Sequence, residues 1–367
     1  MTAGCGLERR PARTAGTAHG ATASTIRGPV PLGGGRIESI DLGQFPVEAG
    51  ATIPDLVVAF RHDGAPPPAP QVLVVHALTG SADAAGDWWA PLIGPGRALD
   101  TDRVGVLCAN LLGGCYGTTG PRSPSAGDRP GVQPFPGVSV RDQARAQWAL
   151  LDALHVEKLA LVAGGSLGGM VALEVALERP GAVGAVIPIA APAATGPLAL
   201  AWNHLQLELV DRLGDHGLDL ARRLAMTTYR SEADFGERFG RHREPDGRYA
   251  VTSYLEHQGR KLVDRFDGDT YRVLVEAIDS HDIGRDRGGA CQALTRLAAA
   301  GTRLVGVGIE GDILYGPDQV RALVAFARQA GVEATYREIR STKGHDAFLV
   351  EWEQLAPLLA ERVPGSS

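Results

Sequence analysis

The sequence predicts an α/β protein with a mostly parallel central sheet and helices on both faces of that sheet. Short apolar runs, typical of buried strands, alternate along the chain with longer segments whose apolar residues recur at helical spacing. At residues 164–169 a glycine-rich turn joins one such strand directly to one such helix. Because parallel strands need long crossover connections, this alternation favours a sheet that is covered on both sides.

Composition limits the classes of protein that remain. The chain has 367 residues, 44% of them hydrophobic, and a formal net charge of −6. This mild acidity argues against nucleic acid or an anionic membrane as the main partner, and no apolar run reaches the ~18 residues that span a bilayer. The four cysteines have no metal-ligand spacing, and no cluster of His, Cys and Asp residues has it, so we expect no metal. We also expect no permanently bound cofactor. Reduced thiols and the absence of a secretory signal pattern favour the cytoplasm.

The chain begins with residues 1–35, which are rich in small and polar residues and predict a disordered leader. Residues 36–191 are predicted to form the first part of the core. Its opening pattern at 36–60 suits an antiparallel hairpin of two strands. The other predicted elements of this part are strands at 71–75, 103–108, 159–163 and 182–190 and helices at 140–154 and 170–178.

The pattern changes between residues 192 and 289. Apolar density falls, charge rises and helical patterns follow each other without buried strands, which predicts an inserted helical lid over the active-site face. Residues 290–367 are predicted to complete the core. The predicted elements of this second part are strands at 302–309 and 334–339 and helices at 319–330 and 348–362.

Residues 164–168 match G-x-S-x-G, the nucleophile elbow of α/β-hydrolases. The turn is so tight that side chains two residues before and after the serine would clash, which explains Gly164 and Gly168. Ser166 is then expected to be exposed above a helix N-terminus, where developing negative charge is favoured. An ordinary serine in a glycine-rich turn is the alternative, and the partner residues below argue against it. The sequence therefore predicts an α/β-hydrolase fold with Ser166 as the nucleophile.

A serine hydroxyl needs a base that takes its proton, and the base needs an orienting carboxylate. In α/β-hydrolases the order along the chain is serine, acid, histidine. Asp312 lies just beyond the predicted strand at 302–309, whereas Glu310 is expected on the strand or in solvent. His345 lies in a predicted loop between the last strand and the last helix, and the other histidines after Ser166 precede the acid. We therefore predict Asp312 as the acid and His345 as the base.

The oxyanion hole is predicted from the same fold. Its donors are the backbone N–H groups of Leu167, which follows the nucleophile, and of Leu78, in the HALTG loop at 76–80. A competing pattern, G-x-G-x-x-G at 306–311, is typical of dinucleotide sites. Such a site needs a helix that begins within the pattern, and none is predicted there, so we reject dinucleotide binding.

Several longer segments resemble the homoserine O-acetyltransferase family, especially its actinobacterial members. Together they extend from about residue 37 to the C-terminus. Such a set is far more specific than the elbow alone. The segments are residues 76–80, 110–121, 164–170, 254–259, 265–267, 281–289, 312–315 and 344–349.

The resemblance implies a ping-pong transfer that belongs to methionine biosynthesis. Ser166 would take the acetyl group of the co-substrate acetyl-CoA and pass it to the hydroxyl of L-homoserine. The family also implies that Arg222 binds the acceptor carboxylate, that Tyr229 assists, and that Asp346 binds the ammonium group. From its helical position alone, Arg222 would be interpreted as a solvated arginine. A homodimer formed through the lid is a further implication of the family.

The sequence also departs from this family in the lid. The segment between residues 189 and 222 is shorter than in the actinobacterial enzymes, and Leu167 stands where methionine is common. A shortened lid could alter the acceptor or admit water. A carboxylic ester hydrolase, or a transferase to another hydroxylated acceptor such as serine, therefore stays open, as does a succinyl rather than an acetyl donor.

Overall fold

The computed structural model describes residues 25–26, 32–123 and 135–363. Most of the predicted leader, residues 1–24 and 27–31, lies outside the described residues. Where the leader is described, Thr25–Ile26 form a short strand at the edge of the main sheet, parallel to residues 39–40. An edge strand offers unpaired backbone groups, which explains why a short segment of this leader adopts regular structure there.

The strands and helices follow the predicted alternation. In the part of the chain that the structure describes, the strands are β1 (Thr25–Ile26), β2 (Gly34–Asp41), β3 (Phe45–Pro46), β4 (Thr52–Ile53), β5 (Val57–Gly64), β6 (Gln71–Val75), β7 (Ile93–Gly94), β8 (Leu99–Asp100), β9 (Gly105–Ala109), β10 (Leu159–Gly165), β11 (Val183–Ile189), β12 (Arg303–Ile309) and β13 (Ala334–Ile339). The α-helices of the same ranges are α1 (Val140–Ala153), α2 (Leu167–Glu178), α3 (Pro197–Leu213), α4 (Asp215–Tyr229), α5 (Glu232–Phe239), α6 (Ala250–Val263), α7 (Gly268–Asp279), α8 (Ala290–Ala300), α9 (Pro317–Gln329) and α10 (Trp352–Ala360). A 3₁₀ helix covers Gly344–Leu349.

Nine of these strands form one sheet in the order β1-β2-β5-β9-β6-β10-β11-β12-β13. Strand β5 pairs antiparallel with both β2 and β9, as expected for an entry hairpin. From β9 to β13 every neighbouring pair is parallel. The predicted class, a mostly parallel sheet, is therefore confirmed.

The sheet separates two apolar layers, because successive side chains of a strand point to opposite faces. In β6, Leu73 and Val75 pack in the layer that contains α1, α2, α8 and α9. Val72 and Val74 pack in the other layer, with Trp89 and helix α10. Strands buried on both faces are apolar along their whole length, which is why the sequence shows continuous apolar runs there and no alternation.

Helices α3 to α7 lie between β11 and the second part of the core, inside the predicted lid at 192–289. Helix α4 packs against both α3 and α6, and it also contacts the 3₁₀ helix. This contact places the end of α4 next to His345. The boundaries assigned to the lid and to the two parts of the core stay a prediction.

Helix α2 begins earlier than its predicted start at residue 170. The backbone N–H groups of Gly169 and Met170 both donate to the Ser166 carbonyl, so the helix starts directly after the nucleophile at Leu167. Glycine-rich sequence hides this start, because glycine lowers helix propensity. The nucleophile therefore occupies the N-cap position of the helix.

The predicted C-terminal helix at 348–362 is two elements, the 3₁₀ helix and α10. His345 lies in the 3₁₀ helix, so its predicted location in a loop is wrong. Gly344 introduces this element with a φ of 66°, and Glu351 interrupts the helical conformation before α10 with a ψ of 55°. A 3₁₀ helix of two turns carries little periodicity, which explains why the sequence pattern did not reveal it.

A buried ion cluster fixes the end of the predicted lid segment to the core. Glu174 is a charged residue in the otherwise apolar buried part of α2, and only 2% of it is exposed. Arg287 Nη2 lies 2.8 Å from Glu174 Oε2 and 2.8 Å from Glu178 Oε1. Arg141 Nε of helix α1 lies 3.6 Å from Glu174 Oε2. Burial raises the pKa of the Glu174 carboxyl, and the two arginines oppose this rise.

We expect Arg287→Met to lower the free energy of unfolding by about 3 kcal/mol, because it leaves a buried carboxylate with only its weaker partner. Chemical denaturation followed by circular dichroism measures this loss. Arg212→Met is the matched control: Arg212 pairs with Glu208 at 2.8 Å, but 74% of its side chain is exposed. The control should lose less than about 1 kcal/mol. Equal losses in the two variants would contradict a structural role for the buried cluster.

Candidate active site

Ser166 lies at the tight turn between β10 and α2. Its backbone has a φ of 57° and a ψ of −126°, which residues with a side chain rarely adopt. A Cβ at Gly164 would lie 2.5 Å from the Gly168 carbonyl oxygen, and a Cβ at Gly168 would clash with the Val75 carbonyl oxygen. Close backbone contacts therefore require both glycines, for the reason that the sequence pattern indicates.

The expected exposure of the nucleophile is wrong, because only 7% of Ser166 is exposed. The ring of Phe348, from the 3₁₀ helix, lies against the adjacent Gly165 and covers this end of the sheet. The same ring lies 5.8 Å from the His345 ring, measured between centroids. Phe348 therefore packs the 3₁₀ helix that carries His345 against the nucleophile turn.

Ser166 and His345 each present an unused polar atom at this site. The Ser166 side chain makes no capping hydrogen bond to helix α2. Among the described residues His345 Nε2 is buried without a hydrogen-bond partner, so no hydrogen bond to Ser166 Oγ is formed. Bonds between a nucleophile and its base are often long in free enzymes and shorten when substrate binds. The pairing of Ser166 with His345 stays a prediction.

Asp312 and His345 are joined directly. His345 Nδ1–H donates to Asp312 Oδ2 at 2.7 Å, while Asp312 Oδ1 accepts from the backbone N–H groups of Leu314 at 2.8 Å and Tyr315 at 3.1 Å. These bonds fix the carboxylate just beyond β12, and the competing candidate Glu310 is exposed. Burial lowers the pKa of His345, but the Asp312 charge outweighs it and raises the pKa above the ordinary 6.5. The arrangement leaves Nε2 as the proton-accepting atom.

The loop after β6 lies beside the start of helix α2. The Gly168 backbone is in close contact with the carbonyl oxygens of Val75 and His76, so Leu78 and Leu167 are held on neighbouring segments. Within the described ranges, neither of these two backbone N–H groups donates to another backbone acceptor outside the helices and strands. The assignment of these two groups to an oxyanion hole stays a prediction.

His76 secures this loop. Its Nε2 accepts from the backbone N–H of Leu111 at 3.0 Å, which requires that Nδ1–H donates to the Ala77 carbonyl at 2.7 Å. Burial lowers the pKa of His76 to about 4, so the ring is neutral near pH 7 and both bonds persist. The histidine of the HALTG loop therefore has a structural role.

The three residues assigned to the acceptor lie together beside His345. The rings of Tyr229 and His345 are 5.9 Å apart, and the Arg222 guanidinium carbon is 5.3 Å from the Tyr229 ring centroid. Asp346 follows His345, and burial raises the pKa of its carboxyl against the opposing charges of Arg230 and Arg222. The end of α4 and the 3₁₀ helix thus form one polar cluster next to the proposed base.

Two arginines of this site were missed by sequence reasoning. Arg230 Nη2 lies 3.2 Å from Asp346 Oδ2. Arg265 Nη1 donates to the Thr79 carbonyl at 2.8 Å and to the Tyr116 hydroxyl at 2.6 Å, which ties the lid to the HALTG loop. Arg265 is the first residue of segment 265–267, which carries part of the family resemblance, so the sequence did mark this arginine. Nothing local marks Arg230 as part of the site, because Asp346, the partner that connects it to the site, is distant in sequence.

The competing chemistries find no support in the described residues. Within those residues, no group of three or more His, Cys, Asp or Glu side chains is arranged to hold a metal ion. The pattern at 306–311 lies in β12 and the turn after it, and the next helix begins only at Pro317. None of the helices that the structure describes is both long enough and apolar enough to cross a membrane. Cys108, Cys115 and Cys291 are free thiols.

Known proteins resemble the chain in both fold and sequence. Residues 70–274 match the family described as alpha/beta hydrolase fold. The acetyl esterase MekB has a TM-score of 0.77 and 22% identity, with 90% of this chain and 97% of that one covered, and it shares the fold. The predicted α/β-hydrolase fold is therefore confirmed.

Two homoserine O-acetyltransferases are more similar in sequence. The enzyme of Moorella thermoacetica is 40% identical over 346 residues, which cover 85% of this chain and 91% of that one. The crystal structure of the Staphylococcus aureus enzyme has a TM-score of 0.75 at 31% identity and covers 90% of this chain and 95% of that one. At such identity over most of both chains, the chain belongs to the homoserine O-acetyltransferase family.

Proposed function

We propose that this enzyme transfers an acetyl group from acetyl-CoA to the hydroxyl of L-homoserine through an acetyl-serine intermediate. The observation that carries the proposal is the cluster of Arg222, Tyr229 and Asp346 beside the His345–Asp312 pair. A guanidinium and a carboxylate near one base match the two charges of an amino acid. Water needs neither group, so the cluster favours an amino-acid acceptor over hydrolysis.

In the first half-reaction, Ser166 Oγ attacks the thioester carbon while His345 Nε2 takes its proton. The negative charge that develops on the carbonyl oxygen is stabilised by the backbone N–H groups of Leu78 and Leu167. The carbon–sulfur bond then breaks, and the leaving thiolate takes the proton from His345. Asp312 supports the charged imidazole during this step, because its carboxylate accepts from Nδ1–H at 2.7 Å.

In the second half-reaction, the homoserine hydroxyl gives its proton to His345 Nε2 and attacks the acetyl carbon. The bond to Ser166 Oγ breaks and Oγ regains the proton. Arg222 binds the acceptor carboxylate with two parallel hydrogen bonds, Tyr229 assists, and Asp346 binds the ammonium group. No permanently bound cofactor takes part, since acetyl-CoA arrives and leaves as a co-substrate. A cytoplasmic location stays a prediction.

We also propose a homodimer formed through the lid. Helix α3 exposes several leucines: Leu198 is 60% exposed, Leu205 48% and Leu213 47%. Leu198 and Leu205 are separated by about two helical turns and therefore share one face. Exposed apolar residues on one helix face are typical of a surface that another protein covers, and a second copy offers the same face.

Incubation with acetyl-CoA should release thiol in a manner that depends on L-homoserine. The reason is that the acetyl-enzyme waits for an acceptor whose two charges the cluster binds. Thiol release and O-acetylhomoserine formation, with and without homoserine, measure this dependence. L-Serine and succinyl-CoA serve as the alternative acceptor and donor. Thiol release that continues over many turnovers without any acceptor, together with fast cleavage of simple acetate esters, would instead identify an ester hydrolase.

We expect the acidic limb of the pH profile of kcat/KM to lie above pH 6.5, because the base must be neutral and the Asp312 charge raises the pKa of His345. Asp312→Asn removes that charge, so burial then lowers the pKa and the limb should move to lower pH. The rate should also fall by roughly 10⁴-fold, as for equivalent substitutions in other serine triads. A limb that stays in place would show that Asp312 does not face the titrating base.

The double substitution of Leu198→Glu and Leu205→Glu should convert the dimer into a monomer. Two carboxylates per protomer would have to be buried without partners at the proposed interface. Light scattering after size-exclusion chromatography measures the mass. Glu208→Gln, on the same helix, is the control and should leave the dimer intact. A monomeric unsubstituted protein would disprove the proposed dimer.

A further inference from the structure

Four charged side chains form an alternating chain around His345, and we refer to Lys343, Asp234, Arg230 and Asp346 as the charge chain. Lys343 Nζ lies 2.8 Å from Asp234 Oδ1, and Arg230 Nη1 lies 3.8 Å from Asp234 Oδ2. Arg230 Nη2 lies 3.2 Å from Asp346 Oδ2. The two ends of the chain, Lys343 and Asp346, flank His345 in sequence, whereas the two middle members belong to the lid.

The charge chain is largely shielded from water. The exposed fraction of the side chain is 1% for Asp234, 18% for Arg230, 17% for Asp346 and 36% for Lys343. Charges buried to this extent are stable only when each has an opposite partner. The structure gives each of the four an opposite partner within the charge chain, and Asp234 has a further partner in Arg238, whose Nη1 lies 3.5 Å from Asp234 Oδ2.

The backbone around the charge chain is also fixed. A Cβ at Gly344 would lie 2.7 Å from the Ser231 backbone nitrogen, so the 3₁₀ helix and the junction between α4 and α5 are in direct contact. Ser231 Oγ donates to the Thr342 carbonyl and accepts from the Asp234 backbone N–H at 3.1 Å. The junction therefore holds Arg230 and Asp234 at constant positions relative to His345.

Several charged or titratable groups face the Asp346 carboxylate. They are Arg230 and Arg222 from the end of α4, Tyr229 from the same turn, His345 beside it, and Asp312 from the segment after β12. Burial raises the pKa of Asp346, and Arg230 and then Arg222 oppose the rise. In the proposed function Arg222 binds the acceptor carboxylate, so its charge is neutralised in the complex. Arg230 then remains as the main counter-charge that keeps Asp346 ionised.

We propose that Arg230 is a positioning residue that holds the Asp346 carboxylate ionised and oriented for the ammonium group of the acceptor. Asp234, which also pairs with Lys343, holds Arg230 in place. The inference rests on the proposed transfer to an amino acid. It assigns the enzyme's preference for acceptors that carry an amino group to a residue that does not contact the substrate. A neutral Asp346 would attract an ammonium group far less, so loss of Arg230 should weaken discrimination rather than acetyl transfer to the enzyme.

The test compares two acceptors that differ only in the amino group, L-homoserine and γ-hydroxybutyrate. Arg230→Met should lower the ratio of their kcat/KM values at least about tenfold near neutral pH, because Asp346 loses the guanidinium that lies 3.2 Å from its carboxylate and that favours its charged form. Arg222→Met is the reference variant. Both acceptors carry the carboxylate that Arg222 would bind, so the kcat/KM values of the two acceptors should fall together. Arg238→Met is the control, since Arg238 lies 3.5 Å from Asp234 Oδ2 on the more exposed side. It should leave the ratio unchanged.

A pH series separates this role from a merely structural one. In Arg230→Met the ratio should recover as the pH rises and Asp346 ionises, and Arg230→Lys should keep most of the ratio near neutral pH. The single-turnover release of thiol from acetyl-CoA should persist in Arg230→Met, which shows that the variant is folded. A parallel loss for both acceptors that no pH restores would overturn the inference alone. An unsubstituted enzyme that does not acetylate homoserine would overturn the proposed function, and this inference with it.

Discussion

The close backbone contact between the start of α2 and the end of β6 is the constraint on which the site depends. Gly168 approaches the Val75 carbonyl so closely that any side chain would clash. This contact forces Ser166 into a φ of 57°, a conformation that costs of the order of 1–3 kcal/mol. The turn persists because β10 lies inside the sheet and α2 is buried along its length. The stability of the core therefore maintains the geometry of the nucleophile.

Parallel strand topology explains why residues far apart in sequence meet at this turn. Leu78, Ser166 and Asp312 each follow the carboxyl end of a parallel strand, namely β6, β10 and β12, and His345 follows β13. These ends lie at one edge of the sheet, where ligand sites of open α/β folds are found. Helix α4 then brings Arg222 and its neighbours to the same edge through its contact with the 3₁₀ helix. The core carries the predicted triad together with Asp346, and helix α4 carries Arg222 and Tyr229, the other residues that we propose bind the acceptor.

Sequence patterns could predict the features that depend on local backbone geometry or on the order of residues along the chain. G-x-S-x-G marks a turn that only glycine permits, and the order of serine, acid and histidine singles out Asp312, whose hydrogen bond to His345 the structure contains. The 3₁₀ helix was missed because two short turns carry little periodicity, and the burial of Ser166 was missed because local patterns do not report tertiary packing. Arg230 was missed for the same reason, since its importance lies in a partner that only the fold brings near.

Whether the enzyme transfers the acetyl group or hydrolyses the intermediate depends on whether the acceptor or water reaches the acetyl-serine first. Water is abundant, so a transferase must bind its acceptor strongly enough to compete and must keep the site closed while it does so. Here Asp346, which would bind the ammonium group of the acceptor, also joins the histidine segment to the lid through Arg230, and the contact of Gly344 with Ser231 adds to this connection. A lid that moved away would therefore lose the acceptor site and release the segment that carries the base. Such an arrangement disfavours hydrolysis, because the open state that admits bulk water is also the state in which the base is least well positioned.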